Sequence, residues 1–335
     1  MKICIVGAGA IGGILAARLA QRGHAVSVVA RGAHLEAIRR HGLCLVDHLD
    51  GQRVTSFALA ASEYPSQLAD EQGPQDVVFI GLKAHAIPDV LASIAPLVAA
   101  QTVVVPAING VPWWYFYREG SALDGRVLKS LDPKNTLFRD LDARHILGCV
   151  VHLAGEVRAP GEVHHTAGRR LLIGEIDRSL PDPLSARIES LGSALTEAGF
   201  ETVVSRDIRV DVWAKLVGNL SFNPIAALTC ALIDQICGDP ALLEIVRPLL
   251  REGMEVATHL GVEIRMSPDE RIDLARQLGR AKISMHQDFE AGRRPEIDAI
   301  VGAVIELADW LGLEVPTVRM IDALVRSRAR NLGLL

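Results

Sequence analysis

Aromatic side chains are scarce, at 4% of the 335 residues, and cysteines number five. No apolar run reaches the ~18 residues that a membrane span requires. The longest weakly charged stretch, 91–114, is interrupted by Pro96, Pro106 and Pro112. A membrane partner is therefore not expected. The cysteines (Cys4, Cys44, Cys149, Cys230 and Cys237) are scattered and odd in number, and none forms a CxxC pair. That argues against a disulfide framework and a structural zinc site, and for a reducing, cytoplasmic setting. No metal site is expected. The formal charge is -5, which disfavours nucleic acid and anionic membrane surfaces as partners. Repeats and low-complexity tracts are missing too, and the opening MKICIVGAG has the pattern of a strand rather than a signal peptide. What is present is ordinary for a globular enzyme: 49% hydrophobic and 22% charged residues, over a length that suits two domains with separate cores.

The first strand, Lys2 to Val6, runs into Gly7-Ala8-Gly9-Ala10-Ile11-Gly12 and then a helix. This is GxGxxG between a strand and a helix, the setting in which it binds a dinucleotide. Gly7 permits the turn, Gly9 lets a pyrophosphate approach, and Gly12 lets the helix lie against the sheet. The helix start offers free N–H groups to the diphosphate. The second strand, Ala25 to Ala30, ends at Arg31-Gly32 with no acid for a ribose diol. An arginine there suits a 2'-phosphate, so NADP(H) is favoured over NAD. A solvent-facing arginine is the plain alternative.

His41 to Leu59 reads as two short strands about an Asp50-Gly51 turn. Asp76 to Gly81 is a buried strand followed by Lys83, which stands where open α/β sheets bind ligands. A phosphate contact, a substrate contact and a free surface lysine are all open readings. Val90 to Ala99 is expected to be a helix and Thr102 to Pro106 a strand. Asn109-Gly110 follows, with Asn109 either at the nicotinamide ribose or substrate or simply a turn residue. Trp113, Trp114, Tyr115 and Phe116 then stand in a row, as a pocket wall or a dimer surface. Cys149 to Ile173 looks antiparallel. His164 and His165 point to opposite faces, one of them expected to be solvated.

From Pro183 the pattern turns helical, so the domains are expected at 1–182 and 183–335. Leu184 to Ala198 reads as a helix and Phe200 to Val204 as a strand. The stretch Val212 to Leu228, VWAKLVGNLSFNPIAAL, places Lys215, Asn219 and Asn223 at i, i+4 and i+8. With about 40° of drift per step, all three line one helix face. Among so many apolar neighbours those polar groups need partners, from the protein, a small ligand or water. Asp207 or Asp211 can cap the start, and Pro224 signals a kink or break. Pro240 to Leu260 is a long amphipathic helix. Ser267-Pro268-Asp269-Glu270 opens another with a capping box. Glu296 and Asp298 fall in the first turn of a helix running to Leu311, where carboxylates are common. A last helix starts at Pro316. Long apolar helices in this half suggest a homodimer.

Six pieces in order now resemble the ketopantoate reductase family: GAGAIG, Arg31, Leu82-Lys83, Asn109-Gly110, WAKLVGNLSFNP and SMHQDFEAGRRPEID from Ser284. The resemblance spans residues 7 to 298. It implies an N-terminal Rossmann domain, a mostly α-helical C-terminal domain, an active site in the cleft, and NADPH-dependent reduction of 2-dehydropantoate to (R)-pantoate. By resemblance Lys215 is the catalytic lysine and Glu296 a glutamate near it. Asn219, Asn223 and Ser284 hold the small 2-keto acid, and Asn109 lies near nicotinamide and substrate. Arg31 and Lys83 are the basic pair at the NADP phosphate. The sequence departs from the pattern at Ile233 and Ala281, where some members carry asparagine, and at Pro295. A paralogous reductase of a bulkier 2-keto acid is the alternative enzyme. A non-catalytic NADP(H)-binding regulator is the alternative from another class.

Overall fold

The computed structural model describes residues 1–179 and 185–335. The chain forms two compact units: Met1–Ile108 with Trp114–Val127 and Lys134–Ile208, and Asn109–Trp113 with Leu128–Pro133 and Arg209–Leu335. The junction expected at 182/183 and the helix start expected at Leu184 lie outside the described residues. The helix and strand that follow Ser185 belong with the first unit.

The first unit opens with β1 (Lys2–Val6), α1 (Ala10–Gln21), β2 (Ala25–Val29), α2 (Gly32–His41), β3 (Leu43–Asp47), β4 (Arg53–Phe57), β5 (Ala60–Ser62) and α3 (Pro65–Gln72). It continues with β6 (Val77–Ile80), α4 (Ile87–Val90), β7 (Val103–Pro106), α5 (Leu137–Asp140), β8 (Leu147–Ala159), β9 (Glu162–Glu175), α6 (Ala186–Glu197) and β10 (Glu201–Val204). Strands β5-β2-β1-β6-β7 form a parallel sheet in that order. β6 (VVFI) and, at the end of that order, β7 (VVVP) are buried throughout, as parallel strands are when both faces of the sheet are covered.

A second sheet is built on the long antiparallel β8–β9 pair. β3 joins β9 in parallel at 162–165, β10 does so at 170–173, and β4 pairs antiparallel with β3 about the expected turn. Helix α1 is buried along Gly12 to Leu19 because it has a layer on both sides. A Cβ on Gly13 would lie 2.6 Å from Val163 of β9, and one on Gly155 of β8 would lie 2.6 Å from Ile14.

Two expectations change here. His164 and His165 are 6% and 0% exposed, so neither face of β9 is solvated at that point. His165 turns toward Arg18 of α1, 3.2 Å away, while His48 covers His164 at 2.8 Å. Val90 to Ala99 is not an α-helix. One α-turn, α4, passes into a 3-10 helix over Leu91–Leu97. Pro96 lacks the N–H and crowds the preceding turn, which disfavours α-geometry.

The second unit is helical: α7 (Ile208–Thr229), α8 (Ile233–Gly238), α9 (Pro240–His259), α10 (Pro268–Arg276), α11 (Ser284–Glu290), α12 (Ala303–Leu311) and α13 (Pro316–Asn331). α7 continues through Pro224 without a break. Proline inside a helix costs about 3 kcal/mol, but Leu220 to Ala227 are all buried, and that packing holds the helix together. Asp207 directly precedes α7, and Asp211 lies in its first turn. The capping box of α10 forms: Ser267 Oγ accepts from the Glu270 N–H at 3.2 Å, and Glu270 accepts from the Ser267 N–H at 2.7 Å. A π-turn, Asp298–Gly302, precedes α12. Among the described residues no helix is long and apolar enough to cross a membrane.

The aromatic run is core. Trp113, Trp114, Tyr115 and Phe116 are each at most 4% exposed, so they form no open dimer surface.

Candidate active site

In the first unit the chain turns at Gly7, whose φ of +97° favours glycine. A Cβ on Gly12 would lie 2.0 Å from the Gly7 carbonyl, so only glycine lets α1 start so close to the turn. Gly9 is different: a Cβ there would meet nothing within 4 Å. Gly9 is also the N-cap of α1 and no side chain caps that end, which leaves first-turn N–H groups for an anion. The open side of Gly9 and the uncapped helix end fit a pyrophosphate.

A pocket of about 240 Å³ extends from this turn, lined by Gly7, Ala8, Gly9, Arg31, His34 and Glu63 among others. Arg31 is exposed at the end of β2, as expected. Lys83 is half-buried beyond β6, between the lining residues Leu82 and Ala86, and is not itself in the lining.

His34 and Glu63 were not singled out from the sequence. His34 Nδ1 accepts from the Gly161 N–H at 2.9 Å, so Nε2 carries the proton and donates to the Ala8 carbonyl at 2.8 Å. A neutral imidazole thereby pins the glycine turn. Glu63 follows β5, the strand next to β2, so its approach to the pocket depends on strand order and not on spacing in the sequence.

In the second unit three expected residues are joined. Lys215 Nζ donates to Asn109 Oδ1 at 2.7 Å, and Asn109 Nδ2 donates to Glu296 Oε2 at 3.2 Å. The amide is thus oriented by a cation on one side and a carboxylate on the other. Glu296 is 7% exposed, and it stands directly before the helical turns that include Asp298–Gly302. Gly110 is at φ +84°, and a Cβ there would lie 2.3 Å from the Ala299 carbonyl. That carbonyl also accepts from the Val111 N–H at 2.9 Å. Gly110 therefore seats Asn109 beside the Glu296 helix.

Asn219 and Asn223 follow Lys215 along α7. Asn223 is 3% exposed and its Nδ2 has no hydrogen-bond partner. An orphaned amide at the end of a polar stripe is a place for a ligand acceptor. Ser284 is the first residue of α11 and half-buried. Among the described residues, no side-chain hydrogen bond links Ser284 or Asn219 to the lysine chain. The departures at 233 and 281 prove to be partners: the Ile233 N–H donates to the Ala281 carbonyl at 3.1 Å.

An α/β unit with an open glycine turn, paired in one chain with a helical unit that aligns lysine, amide and carboxylate, defines a dinucleotide-binding oxidoreductase of Rossmann type. The family model Ketopantoate reductase PanE/ApbA matches residues 3–178, and Ketopantoate reductase PanE/ApbA C terminal matches 207–329. A 2-dehydropantoate 2-reductase of Mesorhizobium japonicum is 42% identical over 99% of both chains. A solved structure from Ralstonia solanacearum MolK2 has a TM-score of 0.92 at 40% identity, covering 100% of this chain and 99% of that one. A 2-dehydropantoate 2-reductase from Geobacter metallireducens GS-15 has a TM-score of 0.83 at 28% identity, covering 98% and 100%. The chain belongs to the ketopantoate reductase PanE/ApbA family.

Proposed function

We propose that this chain reduces the ketone of 2-dehydropantoate to (R)-pantoate with NADPH, a step toward pantothenate and coenzyme A. The observation that carries the reading is the hydrogen-bonded chain Lys215–Asn109–Glu296, continued along α7 by Asn219 and the orphaned Asn223 amide. The Gly7–Gly12 turn, with the N–H groups of Ala10 and Ile11, would hold the pyrophosphate. Arg31 and Lys83 would hold the 2'-phosphate. When bound, the nicotinamide supplies the hydride that goes to the ketone carbon.

Everything else falls to this chain's side chains. Charge that grows on the carbonyl oxygen needs a proton or a cation beside it, and the Lys215 ammonium can provide both. Asn109 fixes the direction of that ammonium, and Glu296 fixes Asn109. Asn219, Asn223 and Ser284 are donors for the acid's carboxylate and hydroxyl. The conformational order of α7 means little rearrangement is needed as the charge develops.

A second reading, a reductase of a bulkier 2-keto acid, is favoured by the apolar pair Ile233 and Ala281. A panel of 2-keto acids assayed with NADPH and with NADH tests both. The first reading expects 2-dehydropantoate with NADPH to give the highest kcat/KM. Faster turnover of a larger acid would replace it with the second. A homodimer remains the expected assembly, and sedimentation of the full chain would check it.

A further inference from the structure

Glu63 enters no part of the chemistry assigned above. It is the residue after β5, the short strand at the edge of the parallel sheet. Register sets Ser62 beside Val29 of β2, and the Ala30 N–H donates to the Ser62 carbonyl at 3.0 Å. On the other side, Ser62 Oγ accepts from the Tyr64 N–H at 3.1 Å. Tyr64 is the N-cap of α3, and Pro65 is its first residue. Glu63 is therefore held between a paired strand end and a helix start. That is the carboxyl edge of the sheet, where open α/β sheets bind their ligands.

The side chain lines the pocket beside the glycine turn. Much of that wall is apolar: Val29, Ala30, Pro65, Leu82 and Val90. Four lining residues carry polar side chains, namely Arg31, His34, Glu63 and Ser93. Three of them are committed. Both ring nitrogens of His34 are bonded to backbone, and Ser93 Oγ donates to the Val90 carbonyl at 2.6 Å. Arg31 is the cation assigned to the 2'-phosphate. Among the described residues no hydrogen bond or ion pair engages the Glu63 carboxylate. The pocket thus joins an apolar slot to one uncommitted group that, when ionised, only accepts.

In a Rossmann-type unit the end of the second strand meets the ribose of the adenosine half. The base of that half then falls to the apolar slot. Adenine has a flat face suited to such a wall and, at its edge, an exocyclic amine that donates. We infer that Glu63 accepts a hydrogen bond from the adenine N6 amine and so sets which purine the dinucleotide carries. The inference rests on the proposed function for the use of NADPH, and it concerns the base rather than the 2-keto acid. Hypoxanthine in the same slot turns a carbonyl oxygen toward the carboxylate. Two acceptors then face each other, so a hydrogen bond is lost and repulsion is added.

The test measures the binding of NADPH and of reduced nicotinamide hypoxanthine dinucleotide phosphate by fluorescence, with no keto acid present. The proteins are wild type, Glu63→Gln and Glu63→Ala. Wild type is expected to bind NADPH about tenfold more tightly than the analogue, the low end for a hydrogen bond to a charged group, because Glu63 is exposed on its outer side. A glutamine accepts from the amine or, with its amide turned, donates to the oxygen. Glu63→Gln is therefore expected to bring the two nucleotides within about threefold, chiefly by improving the analogue. Glu63→Ala is expected to weaken NADPH by about three- to tenfold and leave the analogue no weaker. Tm should match wild type in both variants, since the residue is exposed. Equal affinities in wild type overturn the inference, as does a wild-type preference that survives unchanged in Glu63→Gln. Equal weakening of both nucleotides in the variants, the result if the carboxylate holds a ribose hydroxyl, overturns it too. Binding is read without turnover, so the assignment stands even if 2-dehydropantoate is not the substrate. Wild type that binds neither nucleotide overturns both readings.

Discussion

Replacing Lys215 with methionine keeps most of the stem and removes the ammonium. Two consequences can be sized. The first is on the reaction: loss of a positioned proton donor costs about 10²- to 10⁴-fold, or about 2.7–5.4 kcal/mol of barrier at 1.36 kcal/mol per factor of ten. The second is on the fold. Asn109 Oδ1 loses the donor it holds at 2.7 Å. Asn109 is half-buried, so water can take the vacated place and the cost stays near the lower end, about 1 kcal/mol. The glycine turn at Gly7–Gly12 lies in a different unit and is untouched, so nucleotide affinity is expected to be that of wild type. The assay is NADPH oxidation under saturating 2-dehydropantoate, with nucleotide affinity from fluorescence and Tm from calorimetry. The expected pattern is a kcat reduced by at least about 100-fold, unaltered nucleotide affinity and a Tm lower by a few degrees at most. A kcat within about threefold of wild type, with substrate and nucleotide still bound, refutes the assignment of Lys215 as proton donor.

Arg31→Ala is expected to raise KM for NADPH by about 10- to 100-fold, the worth of a charge-assisted hydrogen bond, while leaving KM for NADH nearly unchanged; equal effects on both would show that Arg31 does not read the 2'-phosphate. Gly12→Ala places a methyl 2.0 Å from the Gly7 carbonyl. Backbone must move, so stability should fall by about 1–3 kcal/mol and nucleotide binding with it; an unchanged Tm would contradict the packing described. Stability should also depend on pH through His165. Desolvation by burial, first among its causes, depresses its folded value below that of an ordinary histidine, while the Gly168 carbonyl opposes the shift. Below the ordinary histidine range the unfolded chain binds a proton that the folded one does not. Stability contributed by this group is therefore full above about pH 6.5 and declines as pH falls toward the folded value, with a slope of at most about 1.4 kcal/mol per pH unit. Urea denaturation across that range should show a shallower decline for His165→Asn; identical slopes would discount the histidine.

Much of this protein was legible before its coordinates, and the reason is locality. The Gly7–Gly12 turn, the α10 capping box and the β3–β4 turn depend on residues a few positions apart, where backbone sterics and hydrogen bonding decide the outcome. The alignment of Lys215, Asn219 and Asn223 follows from helical period alone. Expectations erred where a distant partner overrode a local signal. Pro224 signals a kink or a break in α7, and the break does not occur because buried neighbours hold the helix through it. His164 and His165 were assigned one wet face, but α1 and His48 cover both. The aromatic run suggested a pocket wall or a dimer surface, and its burial removes the open dimer surface.

Sequence by itself determined the α/β and helical halves, the nucleotide turn and the polar face of α7, because each is a short-range pattern. Only tertiary structure could join Asn109 to Lys215, 106 residues away, and to Glu296, 187 away. Gly110 makes that union possible by letting its loop lie against Ala299. Tertiary structure alone also revealed His34 beneath the glycine turn, and Glu63 brought to the nucleotide pocket by strand order. Such pairings are set by which surfaces pack together, and no spacing along the chain encodes them.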